Sequence, residues 1–247
     1  MVVGIGAGTR PAPVAESLAG TGGFVDTICY CRPGTFPGET DFPVVECDDP
    51  SRALVTALIE GTIDAAVRGS LPAHETLWIL REMTGVDHLL RIALLEAPDG
   101  SRFFFAPVGV DEGWTVSERL ELIERGLEFA RAFGLPEKAA ILSGGRLDDI
   151  GRHPMVDRSL ADAELAATLS GQVHVEVRIE DAVGSYGVII APDGICGNLI
   201  FRTLVLVGGG QGHGAPVINI DKIFVDSSRA SSDYINAILL AASLSES

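Results

Sequence analysis

Strand-like and helix-like stretches alternate along most of this chain. In the first part, short apolar runs predict strands at 2–5, 24–30, 43–46 and 63–67, and the stretches between them predict helices at 11–19, 51–60 and 72–83. Strands that are joined through helices pack as a largely parallel sheet covered by those helices. The sequence therefore predicts an α/β fold.

One segment interrupts this alternation. In LLRIALLEAPDGSRFFFAPVGV, two apolar runs are joined by Pro98-Asp99-Gly100-Ser101, which is a turn sequence, so an antiparallel hairpin is predicted. Beyond it, Thr115 and Glu118 have the spacing of a capping box, and Ser159 is expected to cap the following helix. The alternating VHVEV predicts a half-buried strand, and the chain closes with a predicted helix 197–207, strand 217–225 and helix 232–243.

The net charge and the apolar content of the chain limit the kinds of partner that it can bind. The 247 residues carry a formal net charge of −16, which disfavours binding to nucleic acid or to anionic membranes. No apolar run reaches the length of a membrane span, and no basic-apolar leader begins the sequence, so a cytoplasmic location is expected. Hydrophobic residues make up 47% and aromatic residues 6%, which predicts an aliphatic core.

The four cysteines do not indicate a metal centre. Cys29 and Cys31 are two positions apart in a predicted strand and share one face, while Cys47 and Cys196 stand alone. Since no second Cys or His pair has zinc-ligand spacing, reduced thiols and no metal site are expected.

The opening VGIGAGTR contains a glycine pattern that has two readings. Gly4, Gly6 and Gly8 have a spacing that is found where a strand turns toward a nucleotide or S-adenosylmethionine, although Thr9 breaks the dinucleotide form. The alternative is a plain strand-to-helix loop, suited to phosphate, with Arg10 close by.

Two later loops are also open to two readings. SGGRLDDIGRHP follows a predicted strand and offers Ser143, two glycines, Arg146 and Arg152, which suit a phosphoryl group but also an ordinary polar loop. GGGQGHG holds His213, for which a structural role and a catalytic role both stay open.

The stretch DSSRASSDYINA combines a helix cap with an arginine. Ser231 or Ser232 can cap the last helix, and Asp233 suits its first turn or could serve as a base. Arg229 immediately precedes the helix start, where a guanidinium and free peptide N–H groups could hold one anion together. The alternative is a surface ion pair between Arg229 and Asp226 or Asp233.

The C-terminal part resembles the phosphate acetyltransferase and phosphate butyryltransferase family. That family reads P-D-x-x-x-G-N-x-x-Y-K, then a glycine-rich stretch, then S-R-x-x-S and a helix; the matching residues here are Pro192, Asp193, Gly197, Asn198, Ser228 and Arg229, with Arg202 in place of the lysine. LIEGTIDAAVRGSL resembles another family segment and places Arg68, Gly69 and Ser70 in its loop. The resemblance covers most of the chain from about residue 50.

The resemblance implies a two-lobed α/β fold like that of isocitrate dehydrogenase, with a cleft between the lobes and dimerisation through the second lobe. The first lobe would comprise 1–106 and 217–247, and the second 107–216. It also implies catalytic roles for Ser228, Arg229 and Asp233, the last as the base that takes the thiol proton of coenzyme A. The residues implied to bind substrate are Arg68, Ser70, Ser143, Gly144, Arg146, Asn198 and Arg202.

The chain also departs from that family. Pro107 replaces an aspartate that family members often have after the hairpin, Asp111 stands at an asparagine, and the N-terminus is short. The short N-terminus, RHPMVDRSLADAEL and the stretch 208–214 look most like a methanogen-restricted branch of the superfamily. That branch is a methanogenesis marker named as the X subunit of a methyltransferase.

Three functions follow as hypotheses. The first is a transferase of the phosphotransacylase type that binds a phosphorylated or coenzyme-like anion between its lobes. The second is methyl transfer in methanogen metabolism, and the third is a non-catalytic binding or regulatory subunit, which Pro107 favours. No tightly bound cofactor is expected; coenzyme A or a methanogen coenzyme would be a substrate, and the protein is expected to be a homodimer.

Overall fold

Two six-stranded sheets organise the computed structural model, which describes residues 1–228 and 233–245. In chain order the strands are β1 (Val2–Ala7), β2 (Asp26–Cys31), β3 (Val44–Glu46), β4 (Ala65–Val67), β5 (Ala93–Glu96), β6 (Arg102–Ala106), β7 (Ala139–Leu142), β8 (Val173–Glu176), β9 (Val188–Ile190), β10 (Gln211–Gly212), β11 (Ala215–Pro216) and β12 (Ile223–Asp226). The helices are α1 (Pro11–Gly20), α2 (Pro50–Glu60), α3 (Ala73–Thr84), α4 (Val116–Ala132), α5 (Pro154–Ser170), α6 (Ile179–Ala182), α7 (Gly194–Leu206) and α8 (Ile235–Leu244), with a 3-10 turn at Leu147–Asp149.

The chain forms two units. Unit 1 comprises Met1–Leu89 and the chain from Gly214 onward, and unit 2 is the continuous segment Leu90–His213. The sequence placed the hairpin, up to residue 106, in the first lobe. The structure assigns it to unit 2 because β6 pairs in parallel with β9 and β5 pairs with β10. The return to unit 1 comes before residue 217, because β11 pairs with β12.

Unit 1 contains the sheet with the order β11-β12-β4-β1-β2-β3. Its strand pairs are parallel except for the antiparallel β11–β12 pair. The sequence predicted a single strand over 217–225. The chain instead turns back on itself, and the Val217 N–H donates to the Phe224 carbonyl at 2.8 Å. Aliphatic side chains fill the core beneath α2, including Leu54, Val55 and Leu58.

Unit 2 contains the sheet with the order β10-β5-β6-β9-β7-β8. β5 and β6 pair antiparallel, as the turn sequence predicted. β10 adds an antiparallel pair beside β5 that the sequence did not predict, and the other pairs are parallel. Phe103, Phe104 and Phe105 of β6 are fully buried, and Phe104 packs edge-on against Phe129 and Phe133. The α/β prediction is confirmed in both units.

Helix starts test the capping predictions directly. Thr115 caps α4 as predicted, since its Oγ1 accepts from the Glu118 N–H at 3.1 Å. The prediction that Ser159 caps the next helix is wrong: α5 begins five residues earlier at Pro154, and the His153 ring accepts from the Met155 N–H. Proline at the first helical position has no N–H to satisfy, so the earlier start is favourable. Within residues 1–228 and 233–245, no helix is long and apolar enough to cross a membrane and no group of side chains could hold a metal ion.

Candidate functional site

The carboxyl edge of the unit 1 sheet contains a pocket. From β1 the chain proceeds to β2 and β3 on one side, whereas β4 lies on the other side of β1. A change of direction of this kind leaves a crevice at the carboxyl ends of the two central strands, where α/β proteins commonly bind ligands. A pocket of about 300 Å³ lies there, lined by Ala7, Gly8, Thr9, Arg32, Thr35, Asp49, Pro50, Ser51, Leu71, Pro72 and Glu75.

The glycines of VGIGAGTR allow two loops to pack closely beside this pocket. The Gly8 N–H donates to Ser70 Oγ at 2.8 Å, and the Ser70 N–H donates to the Gly6 carbonyl at 3.0 Å. A Cβ on Gly8 would lie 2.6 Å from the Ser70 carbonyl oxygen. Gly69 has φ +61°, and a Cβ there would lie 2.1 Å from the Gly6 oxygen. The loop after β4 therefore fills the space beside these glycines, and their interpretation as a nucleotide or S-adenosylmethionine loop has no support here.

Arg68 organises the ends of β4 and β12. It is 3% exposed, its Nε donates to the Asp226 carboxylate, and its Nη2 donates to the Ser227 carbonyl. Its Nη1 donates to the Leu71 carbonyl at 2.7 Å. The predicted substrate residues Arg68 and Ser70 are thus brought together at the pocket edge, where both are buried and engaged with the backbone or with a carboxylate. This arrangement fixes the loop that supplies Leu71 to the pocket wall.

The pocket wall has a mixed polarity. Arg32 is exposed, and in the part of the chain that the structure describes its side chain forms no hydrogen bond or ion pair. Asp49 caps α2 by accepting from the Arg52 N–H at 2.9 Å, and Ser51 shares a 2.9 Å hydrogen bond with Thr76. Glu75 lies in the first turn of α3. One available guanidinium, several hydroxyls and two carboxylates suit a small ligand that has one anionic group and further hydrogen-bonding groups.

Two of the predicted catalytic residues, Ser228 and Asp233, are described between β12 and α8. Ser228 is half-buried directly after this strand, and Asp233 is exposed, with its Oδ1 accepting from the Ile235 N–H at 3.3 Å. Arg229, Ser231 and Ser232 lie outside the described residues. The predicted roles of Ser228, Arg229 and Asp233 stay predictions.

In unit 2, Ser143 belongs to a series of three hydrogen-bonded polar side chains. The sequence identified Ser143 but not its two partners. His174 Nε2 lies 2.9 Å from Ser143 Oγ, and His174 Nδ1 lies 3.0 Å from Glu164 Oε2. The order serine, histidine, carboxylate resembles that of nucleophilic hydrolases. However, Ser143 is 1% exposed and its hydroxyl lies 2.9 Å from the Gly145 carbonyl, to which it can donate. These three hydrogen-bonded side chains therefore hold the 143–146 loop in place, and the Ser143 hydroxyl is not exposed as a nucleophile.

The other predicted residues of unit 2 fall into two groups. Gly144 and Asn198 form internal hydrogen bonds: the Gly144 N–H donates to Ser159 Oγ at 2.8 Å, and Asn198 Nδ2 donates to the Val108 carbonyl at 3.0 Å. Arg146 and Arg202 are exposed. His213 Nε2 is shielded from solvent and lies 3.3 Å from Glu96 Oε2, which favours its structural role.

Comparison with known proteins decides the family. No family model matches the chain. "Putative methyltransferase mtx subunit X" of Methanosarcina barkeri is 44% identical over 211 residues, covering 83% of this chain and 78% of the relative. The chain belongs to the mtx subunit X family. A second member of this similarity group, an uncharacterized methyltransferase of Methanopyrus kandleri, is 41% identical over 83% of this chain and 84% of the relative.

The solved structure of a branched-chain phosphotransacylase from Enterococcus faecalis has the same fold as the present protein. The two match with a TM-score of 0.77 over 99% of each chain, at 17% identity. The two-sheet α/β fold of the phosphotransacylases is therefore present over the full length. The expected branch and fold are both confirmed.

Proposed function

We propose that this protein is a small-molecule transferase that holds the anionic group of its substrate in the unit 1 pocket. The observation that carries the proposal is the Arg32 guanidinium in the wall of a 300 Å³ pocket at the carboxyl edge of the sheet. In a protein with a formal net charge of −16, a cation without a carboxylate partner is a local attraction for an anion. Thr9 adds a hydroxyl donor to the pocket wall, whereas the Thr35 hydroxyl donates to the Arg32 carbonyl at 2.7 Å.

The proposed reaction is acyl transfer between a thiol and phosphate. The phosphotransacylase fold supports this class, with coenzyme A or a methanogen coenzyme as a substrate and not as a bound cofactor. In this mechanism Arg32 would bind the phosphoryl or carboxylate oxygens through paired N–H donors. Glu75 is the pocket carboxylate that does not cap a helix. It would accept the proton that the thiol loses as its sulfur attacks the acyl carbon, the bond from that carbon to the phosphate oxygen breaks, and inorganic phosphate leaves.

Methyl transfer is the second candidate, and the names of the relatives favour it. The close packing of Gly6 and Gly8 against the loop 68–71 argues for a donor other than S-adenosylmethionine at that loop. A third candidate, a binding subunit without turnover, uses the same pocket. A measurement of product formation distinguishes this binding subunit from the acyltransferase and the methyltransferase.

Ligand binding tests the proposal first. Unfolding of the parent protein would be followed by thermal shift with acetyl phosphate, coenzyme A and coenzyme M in turn. A ligand at a hundredfold excess over its Kd stabilises the folded state by about 2.7 kcal/mol. Arg32→Ala should weaken binding by about 1.5–3 kcal/mol, because a charged hydrogen bond is lost.

Lys138→Ala is the matched control. Lys138 is exposed in unit 2 and is not among the residues that line the pocket, so the substitution removes the same positive charge without changing the pocket wall. Equal affinity in Arg32→Ala and Lys138→Ala would contradict the proposed pocket. Formation of a thioester from acetyl phosphate and coenzyme A would identify acyl transfer, whereas binding without product would support the non-catalytic candidate.

We also propose that the protein is a homodimer that associates through unit 2. Ile195, Leu199 and Leu206 lie at helical spacing along α7, with exposures of 50%, 61% and 41%, and Val207 at its end is 83% exposed. An apolar helix face of this kind on a folded domain marks an interaction surface. A second copy, expected from the family resemblance, would cover it.

A further inference from the structure

Arg119 is a buried cation in unit 2 that has no counter-ion among the residues that the structure describes. It lies in the first turns of α4, is 4% exposed, and its Nε donates to the Gly113 carbonyl at 3.0 Å. Its Nη1 is shielded from solvent and has no hydrogen-bond partner among the described residues. Within the same part of the chain, Arg119 forms no ion pair. A buried guanidinium in this state is costly unless a further group satisfies it.

The nearest carboxylates are already engaged by other donors. Burial lowers the pKa of the Arg119 guanidinium, and the negative charges of Asp162 and Asp193 oppose that shift. Asp162 is bound to Arg158 at 2.8 Å, and Asp193 accepts from the Cys196 N–H at 2.8 Å as the cap of α7. Arginine remains protonated in proteins, so the guanidinium does not escape the cost by losing its proton.

The first turn of α7 lies beside this guanidinium. Burial, followed by the hydrogen bond to Asp193, raises the pKa of the Cys196 thiol to about 11, and the positive charge of Arg119 opposes this shift. A Cβ on Gly194 would lie 1.8 Å from the Gly109 oxygen, and one on Gly197 would lie 1.9 Å from the Pro107 oxygen. The start of α7 is therefore packed directly against the loop that follows β6.

The same edge carries unsatisfied peptide donors. In the described chain, the N–H groups of Gly194 and Ile195 form no hydrogen bond, as expected for the first residues of a helix. Strands β6, β9 and β7 are neighbours in parallel, so the loop after β6, the start of α7 and the Ser143 loop meet at one edge of the sheet. A buried cation and a helix N-terminus at such an edge both attract negative charge.

We infer that Arg119 anchors an anion site at the start of α7, which takes the phosphoryl or carboxylate group of a small molecule. The residues of this site belong to unit 2, whereas those of the Arg32 pocket belong to unit 1. The anion would supply the acceptor that Nη1 lacks. Because Nη1 is shielded from solvent, binding requires a local movement of the surrounding loop.

Inorganic phosphate is the probe for the test. Phosphate would be titrated into the parent protein, Arg119→Met, Arg32→Ala and the Arg32→Ala/Arg119→Met double variant, with affinity read from phosphorus NMR line broadening and from the unfolding midpoint. The Arg32→Ala background removes phosphate binding at the unit 1 pocket from the comparison. We expect at least a tenfold loss of affinity in the double variant relative to Arg32→Ala. Arg125→Met, which removes an exposed arginine farther along α4 that is paired with Glu128, should bind within twofold of the parent. Arg32→Ala should also retain this binding, which separates failure of this site from failure of the unit 1 pocket.

Stability without phosphate gives a second, independent readout. If the guanidinium is unsatisfied in the empty protein, Arg119→Met should unfold at the same urea concentration as the parent or at a higher one. Addition of phosphate should then raise the unfolding midpoint of Arg32→Ala but not that of the Arg32→Ala/Arg119→Met double variant. Three results would overturn the inference: no phosphate binding by Arg32→Ala, equal affinity in Arg32→Ala and the double variant, or a large loss of stability of Arg119→Met in phosphate-free buffer. The last would mean that a trapped water molecule already satisfies Nη1.

Discussion

The Arg68 guanidinium binds the Asp226 carboxylate across 158 positions of the sequence and joins the ends of β4 and β12. Both side chains are buried, with exposures of 4% and 12%. Because removal of one partner leaves an uncompensated buried charge, Asp226→Asn or Arg68→Met should lower the free energy of unfolding by about 3–5 kcal/mol. Urea denaturation measures this change.

The matched control for that pair is Arg52→Met. Arg52 and Asp49 form an exposed ion pair at 3.6 Å, with side-chain exposures of 55% and 45%. Loss of such a pair costs about 0–1 kcal/mol. If Arg68→Met and Arg52→Met have the same effect, the buried pair does not fasten β4 to β12.

The glycine loop predicts a contrast between two alanine substitutions. Gly69 and Gly61 both have positive φ, at +61° and +74°, so alanine carries the same conformational cost of about 1–2 kcal/mol at each. Only at Gly69 does the new Cβ also meet a backbone oxygen, that of Gly6, whereas nothing lies within 4 Å at Gly61. Overpacking should make Gly69→Ala less stable than Gly61→Ala by about 1–3 kcal/mol in thermal or urea unfolding. Equal stability would disprove the tight packing of the two loops.

Cys196 predicts an unusual pH dependence of alkylation. Burial, together with the hydrogen bond to Asp193, raises the pKa of its thiol to about 11, and the thiolate is the reactive form. The rate of iodoacetamide modification at Cys196 should therefore still rise about tenfold per pH unit between pH 8 and 10. Peptide mass analysis follows the site, and Cys196→Ser confirms the assignment. A rate that levels off by pH 9 would contradict the raised pKa.

The apolar face of α7 predicts the effect of a surface charge on assembly. If the proposed dimer forms, Leu199→Glu should convert it to a monomer in light scattering at micromolar concentration, because the carboxylate would be buried without a partner. Leu239→Glu is the control, since Leu239 is exposed by 42% on α8 of unit 1. A parent protein that is already monomeric would refute the proposed association.

Local signals in the sequence predicted most elements, and long-range contacts explain what it missed. The helix cap at Thr115 and the turn at 98–101 each depend on contacts between residues three or four positions apart. The predicted cap of α4 and the predicted β5–β6 hairpin are both confirmed. The Ser159 prediction failed because the contact that uses this hydroxyl comes from Gly144, fifteen positions away. For the candidate site, the sequence identified Arg68 and Ser143 but could not reveal that Asp226 or His174 binds them, since those pairings depend on strand order. Arg32 has no local signature at all.

The insertion of unit 2 into unit 1 sets an order of events during synthesis. Strand β4 is made before residue 90, but its neighbour β12 emerges only after the whole of unit 2. Unit 2 is one continuous segment, so it can reach its native fold on the ribosome while one edge of β4 is still unpaired. Since an unpaired strand edge can recruit another chain, we expect the nascent chain to be most prone to aggregation in the interval between completion of unit 2 and release of β12.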